Sequence, residues 1–180
     1  MDRTITQWIN AAAGHYPLLD SLVVLVTKFG APVLVLVVVL QWWSRHERPD
    51  VRHSCVTAGL SFLLGLALNQ IILLFVHRIR PYDAGVSHLI IDRNEDWSFP
   101  SDHATATFAI AAAFLFQGLR RRGLAFLFAA LLVCASRIYV GTHYASDILG
   151  GAATGVAAAA AVRALYRKDS RVAQTLIGIL

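Results

Sequence analysis

The sequence predicts an all-α integral membrane protein, a bundle of about five transmembrane helices in a single domain over residues 1–180. Three observations carry that prediction. The chain is 57% hydrophobic, above the roughly 45–50% usual for a soluble domain. Its apolar residues collect in long runs without the apolar/polar alternation of a membrane β-barrel. Only 15% of residues are charged, and the basic ones flank the apolar runs instead of covering a surface.

At the N-terminal end, Ile5, Trp8, Ile9 and Ala12 recur at helical spacing, which predicts a short amphipathic helix at the membrane interface. Residues 1–16 lack the layout of a cleavable signal. The predicted spans are 18–43, 54–76, 104–119, 124–139 and 145–165. A spanning helix takes roughly 20 apolar residues, about 17–25. The first, second and fifth runs satisfy this, whereas the third and fourth are short and rest on their flanks. The alanine run 157–161 suggests close helix packing through small residues. Residues 170–180 are a second candidate interfacial helix. Cys55 and Cys134 fall inside apolar runs at different depths and are expected to be unpaired core residues.

A net charge of +5 and a pI near 9.7 would suggest a nucleic-acid partner in a soluble chain. Here the basic residues report topology, and no nucleic acid is expected. With five spans, one side carries Arg45, Arg48, Arg52, Arg120, Arg121, Arg122, Arg163, Arg167, Lys168 and Arg171. The other carries Arg3, Arg78, Arg80, Arg93 and Arg137. Lysine and arginine accumulate on the cytoplasmic side, so the N-terminus is expected outside and the C-terminus inside.

The unusual polar residues all fall in the second and fourth connections, both on the expected outer face. In Pro100-Ser101-Asp102-His103 the proline stops any preceding helix and Ser101 is a good N-cap for the third span. The first amides of that span then form an anion site, with His103 in its first turn. Ser136-Arg137 ends the fourth span, where Arg137 can grip a phosphate with two parallel hydrogen bonds. His143 and Asp147 are four apart at the start of the fifth span. A carboxylate there would set the imidazole tautomer and raise its basicity, as a nucleophilic histidine requires. Arg80-Pro81 closes the second span, placing Arg80 at its rim and Arg78 elsewhere.

Arg80-Pro81, Pro100-Ser101-Asp102-His103 and Ser136-Arg137…His143…Asp147 together resemble the type 2 phosphatidic acid phosphatase (PAP2) superfamily, whose site is shared with vanadium haloperoxidases. The third motif is complete, with both spacings kept. Two positions depart from the usual pattern: the family lysine falls at Leu73, and the family glycine is Asp102. Both departures, and Leu19-Asp20-Ser21 at the start of the first span, resemble the bacitracin-resistance branch of undecaprenyl-diphosphate phosphatases.

That resemblance implies a haloperoxidase-like helical core in a bacterial cytoplasmic membrane and a polyprenyl diphosphate lipid as substrate among the membrane lipids. It also implies His143 as nucleophile, Asp147 as its partner and His103 as the proton carrier. Arg80, Ser101 and Arg137 would hold the phosphate. Lys28 lies about ten residues into the first span and is a candidate to replace the missing lysine. Asp102 either accepts a hydrogen bond from an arginine or handles protons. No cofactor or metal is expected, since the seven histidines form no i, i+3 or i+4 ligand pair. His77 is a further candidate substrate contact. The alternatives are a phosphatase for glycerophospholipids, such as phosphatidic acid or phosphatidylglycerol phosphate, and a non-catalytic lipid-phosphate binder or transporter.

Overall fold

The computed structural model describes residues 1–46 and 48–178. It contains α1 (Asp2–Asn10), α2 (Pro17–Gln41), α3 (Arg48–Leu73), α4 (Asp102–Phe116), α5 (Arg120–Tyr139), α6 (Ala145–Leu165) and α7 (Arg171–Ile177), with no strand among the described residues. Four of these, α2, α3, α5 and α6, are long and apolar enough to cross a membrane. The third expected span, 104–119, corresponds to α4, which has 15 residues and is shorter.

Hydrophobicity locates the lipid and not the ends of the hydrogen-bond ladder, and the helix ends show it. Helix α3 begins at Arg48, well ahead of the apolar run, and stops at Leu73. Arg80 therefore sits in the following connection and not at a helix rim. Helix α5 likewise takes in the whole Arg120–Arg122 flank, whereas α6 spans Ala145–Leu165 as its composition predicts. Of the C-terminal candidate helix, Arg171–Ile177 forms α7, and residues 179–180 lie outside the described residues.

Helix α4 is the centre of the bundle, packed against α3, α5 and α6. Ala104, Ala109, Ile110, Ala113 and Phe114 on it are buried. The approach of α6 to α4 is closest at Gly151 and Gly155. A Cβ at Gly151 would strike the Ser101 carbonyl and lie 2.9 Å from the Ala104 side chain. One at Gly155 would strike the Thr105 carbonyl. Two glycines four apart let the backbones touch. Within the alanine run only Ala158 and Ala159 are buried, so it contributes on one face alone. Both cysteines are buried and free.

Helix α1 lies against α5 and α6, with its polarity reversed relative to a soluble surface helix. Its Asp2, Thr6 and Asn10, spaced by four, face the bundle, where Thr6 and Asn10 are buried. Trp8 is 80% exposed and Ile5 47%, as suits a helix with lipid outside and protein within. Asn10 donates to the carbonyls of Tyr139 (2.6 Å) and His88 (2.9 Å) and accepts from the His88 amide (2.6 Å).

Candidate active site

The connection between α3 and α4, residues 74–101, folds back over the helix ends. The Ser98 amide donates to the Arg78 carbonyl (2.8 Å) and the Ser101 amide to the Asp147 carbonyl (3.1 Å). Between α5 and α6 the chain turns at Gly141, whose φ of 87° and contact with the His88 carbonyl leave no room for a side chain. These two connections meet around a cavity of about 90 Å³. Leu73, Arg80, Asp102, His103, Arg137 and His143 line it, together with Asn94, Asp96, Trp97 and Pro100. A larger cavity of about 480 Å³ between α2 and α3 is apolar, with Val38, Trp42, Cys55 and Phe62 in its wall, and holds no acid, base or cation.

Ser101 is the N-cap residue of α4, as its sequence predicts, yet its hydroxyl makes no capping bond. Ser101 Oγ is buried without a hydrogen-bond partner, and so is Arg137 Nε. Buried polar atoms are almost always paired. Two unpaired donors, on or beside one small cavity at a helix N-terminus, suit an anion site. Arg80 is 3% exposed and already engaged. Its Nε donates to the Asp96 carbonyl (2.9 Å), Nη2 to the Asp96 carboxylate (2.6 Å) and the Trp97 carbonyl (3.4 Å), and Nη1 to the Thr142 carbonyl (3.0 Å), leaving one Nη1 proton uncommitted. It therefore fastens the 94–97 segment over the cavity while lining it.

His143 precedes α6 instead of lying on it. Its Nδ1 is 2.8 Å from the Ser98 carbonyl oxygen and 3.6 Å from Asp147 Oδ2. A carbonyl only accepts, so Nδ1 carries the proton and Nε2 presents a lone pair. Tautomer selection, expected of Asp147, thus falls to a backbone carbonyl 45 residues upstream. Asp147 stands behind the ring. Its Oδ2 accepts from Ser98 Oγ (2.5 Å) and the Tyr144 amide (2.8 Å), and its Oδ1 from Arg78 (2.6 Å). Burial holds the His143 imidazole below its usual range; Asp147 opposes the effect, and Arg137 and Arg80 reinforce it.

The remaining expected residues divide. His103 faces His143 across the cavity. Asp102 lines it too, but its carboxylate accepts from Asn69 of α3 (2.7 Å) and not from an arginine. Leu73, where the resemblance places a lysine, presents an apolar wall. Lys28 does not reach the site: it is exposed on α2. The residue of that turn pointing inward is Thr27, bonded to Ser136 Oγ at 2.7 Å. One residue along a helix turns the side chain by about 100°, enough to exchange core for lipid. His77 stacks obliquely on Trp97, with ring centroids 5.0 Å apart. Sequence reasoning missed Ser98 and Arg78. Ser98 belongs to no motif, and the helical geometry that would direct Arg78 elsewhere is not adopted there, because α3 ends at Leu73.

A profile of the PAP2 superfamily matches residues 22–171. The undecaprenyl-diphosphatase BcrC of Bacillus subtilis is 34% identical over 150 residues, 83% of this chain and 76% of that protein. The putative undecaprenyl-diphosphatase YbjG of Escherichia coli is 30% identical over 82% of this chain and 74% of its own length. Among solved structures, a transmembrane PAP2-type phosphatidylglycerolphosphate phosphatase from Bacillus subtilis superposes with a TM-score of 0.67 at 22% identity, covering 94% of this chain and 86% of that one. Sequence, fold and the convergence of the three motifs agree, and the chain belongs to the PAP2 superfamily.

Proposed function

We propose that this protein is a membrane phosphatase that hydrolyses the terminal phosphate of a polyprenyl diphosphate, such as undecaprenyl diphosphate, at the outer face of a bacterial cytoplasmic membrane. The observation that carries the reading is the pair of unpartnered buried donors, Ser101 Oγ and Arg137 Nε, beside a cavity shared by His103 and His143. The names of the similar proteins support the substrate class. The bias of lysine and arginine toward the opposite end of the bundle supports an outward-facing site.

His143 Nε2 attacks the terminal phosphorus in line with the bridging oxygen. The P–N bond forms as the P–O bond to the lipid phosphate breaks, and His103 protonates the leaving oxygen. Asp147 stabilises the charge that develops on the imidazole. His103 then takes a proton from water, whose oxygen displaces His143 and releases inorganic phosphate. Arg137, Ser101, the remaining Arg80 proton and the first amides of α4 hold the equatorial oxygens. Phosphoryl transfer asks mainly for such positioning and charge stabilisation. Every step is supplied by the chain's own residues.

The test is release of inorganic phosphate in detergent micelles containing EDTA, from polyprenyl diphosphate, phosphatidic acid and phosphatidylglycerol phosphate in parallel, with His143→Ala as control. The expected outcome is turnover of the prenyl substrate in EDTA and a loss on the order of 10³-fold or more in the variant. Turnover of the glycerophospholipids with the prenyl diphosphate untouched would move the substrate to that class. An active His143→Ala variant would remove the nucleophile.

A further inference from the structure

Resting on the phosphatase reading above, we propose that Arg78 and Asp2 are positioning residues of the reaction: α1 holds, through Asp2 and Arg78, the carboxylate that stands behind the nucleophilic histidine.

The contacts form a continuous line. Asp2 Oδ2 accepts from Arg78 Nη2 at 2.5 Å and from Ser146 Oγ at 2.6 Å. Asp2 Oδ1 accepts from the Ser146 amide at 3.0 Å, and Thr6 Oγ1 from the Ala145 amide at 3.2 Å. Helix α1 therefore caps α6 through space, satisfying two amides that α6 leaves without intrahelical partners. The other arm of the guanidinium, Arg78 Nη1, lies 2.6 Å from Asp147 Oδ1 and 2.6 Å from Ser146 Oγ. The face of Arg78 covers the Tyr144 ring at 4.0 Å.

Asp147 is fully buried. A buried carboxylate stays ionised only if it is paired and hydrogen-bonded, and the guanidinium paired with it is Arg78. The line reads Asp2, Arg78, Asp147, His143, alternating in charge once His143 becomes cationic. Arg78 holds Asp147 in place while the imidazole changes charge 3.6 Å away. Asp2, from a different helix, keeps Arg78 from swinging toward solvent. The reversed polarity of α1 acquires a purpose in this arrangement, because its inward acid is a part of the site's frame. Lining residues make up none of it: Asp2, Arg78 and Asp147 all lie outside the cavity wall.

The charges facing this line fix the sign of the test. His143 faces Asp147, Arg80 and Arg137, and His103 across the cavity. Arg78 faces Asp2, Asp147 and Tyr144, with Arg3 near the same ring. Without the Arg78 cation the Asp147 carboxylate is no longer shared and favours the protonated His143 more strongly, which moves the acidic limb of the rate profile to higher pH.

The experiment measures kcat, KM and the pH profile of polyprenyl diphosphate turnover for the wild type, Arg78→Gln, Arg78→Lys and Asp2→Asn. Arg78→Gln is expected to lower kcat by about 10- to 100-fold with KM nearly unchanged, and to shift the acidic limb upward. Arg78→Lys keeps the limb in place and recovers part of kcat. Asp2→Asn lowers kcat less, with no upward shift. If Arg78→Gln does not fold, the comparison of Arg78→Lys and Asp2→Asn with the wild type still decides. Wild-type kcat in both overturns the proposal. An unmoved limb in a folded Arg78→Gln, or equal losses in the glutamine and lysine variants, overturns it as well while the phosphatase reading stands. No turnover by the wild type on any lipid phosphate overturns both.

Discussion

The carbonyl of Ser98 and Nδ1 of His143 lie 2.8 Å apart, and that contact joins the two halves of the site. Ser98 comes from the connection before α4 and His143 from the connection before α6. The same Ser98 donates its hydroxyl to Asp147 at 2.5 Å, so one residue fixes both the ring and the acid behind it. The proposed nucleophilic role of His143 requires its second nitrogen to be committed elsewhere, and a neutral acceptor commits it.

The two proton transfers assigned to His103 differ in how much they matter for a diphosphate. The leaving group is a lipid phosphate, which departs readily without a proton, whereas water is a poor nucleophile without a base. His103→Gln is therefore expected to form the phosphoenzyme and stall. With polyprenyl diphosphate it should give a burst of lipid monophosphate equal to the enzyme present, followed by turnover about 10²- to 10⁴-fold slower than wild type. Rapid-quench product analysis and acid-labile phosphohistidine detection check this. With phosphatidic acid, whose leaving group is an alkoxide, the burst itself should vanish.

Leu73 presents methyl groups to a cavity whose wall also carries Arg80, Arg137, Asp96, Asp102, His103 and His143. Leu73→Lys would add an ammonium within a site that also contains Asp96 and Asp102. A charge-assisted hydrogen bond contributes about 1.5–3 kcal/mol. The variant is expected to bind inorganic phosphate roughly tenfold more tightly, read as product inhibition. Unchanged inhibition would show that the bound phosphate does not approach this wall.

The depressed proton affinity of His143 has a consequence for stability. The unfolded chain takes up a proton near the ordinary value of 6.5 while the folded one resists it. The contribution is therefore present above that pH and lost as the pH falls through the folded value. Relative to His143→Asn, wild-type Tm should fall as the pH is lowered from about 7.5 to about 5.5, by at most about 1.4 kcal/mol of stability per unit. Thermal unfolding of both proteins in detergent measures the difference, and a pH-independent difference would contradict the assigned burial.

What the sequence made legible was local. Pro100-Ser101 announces a helix start, and α4 begins at Asp102. Ser136-Arg137, His143 and Asp147 carry their spacing with them, and Arg137, His143 and His103 do share a cavity. What escaped depends on residues far apart in the chain: Ser98 with His143, Arg78 with Asp2 across 76 positions. Lys28 illustrates a second limit. Its run is apolar on all sides, so composition does not reveal which face turns inward, and the polar contact of Thr27 with Ser136 decides it. The polar inward stripe of α1 was hidden for a related reason, since apolar residues at helical spacing mark a face without saying whether lipid or protein covers it.

Helices α4 and α6 meet backbone to backbone at Gly151 and Gly155, and those helices bear Ser101 and Asp147 at adjoining ends. A joint without side chains has nothing to repack, so the separation between the first amides of α4 and the acid behind His143 is a fixed dimension of the molecule. In the proposed phosphatase, retuning toward another headgroup or a different lipid phosphate falls to the rest of the cavity wall, Leu73 and residues Asn94, Asp96 and Trp97.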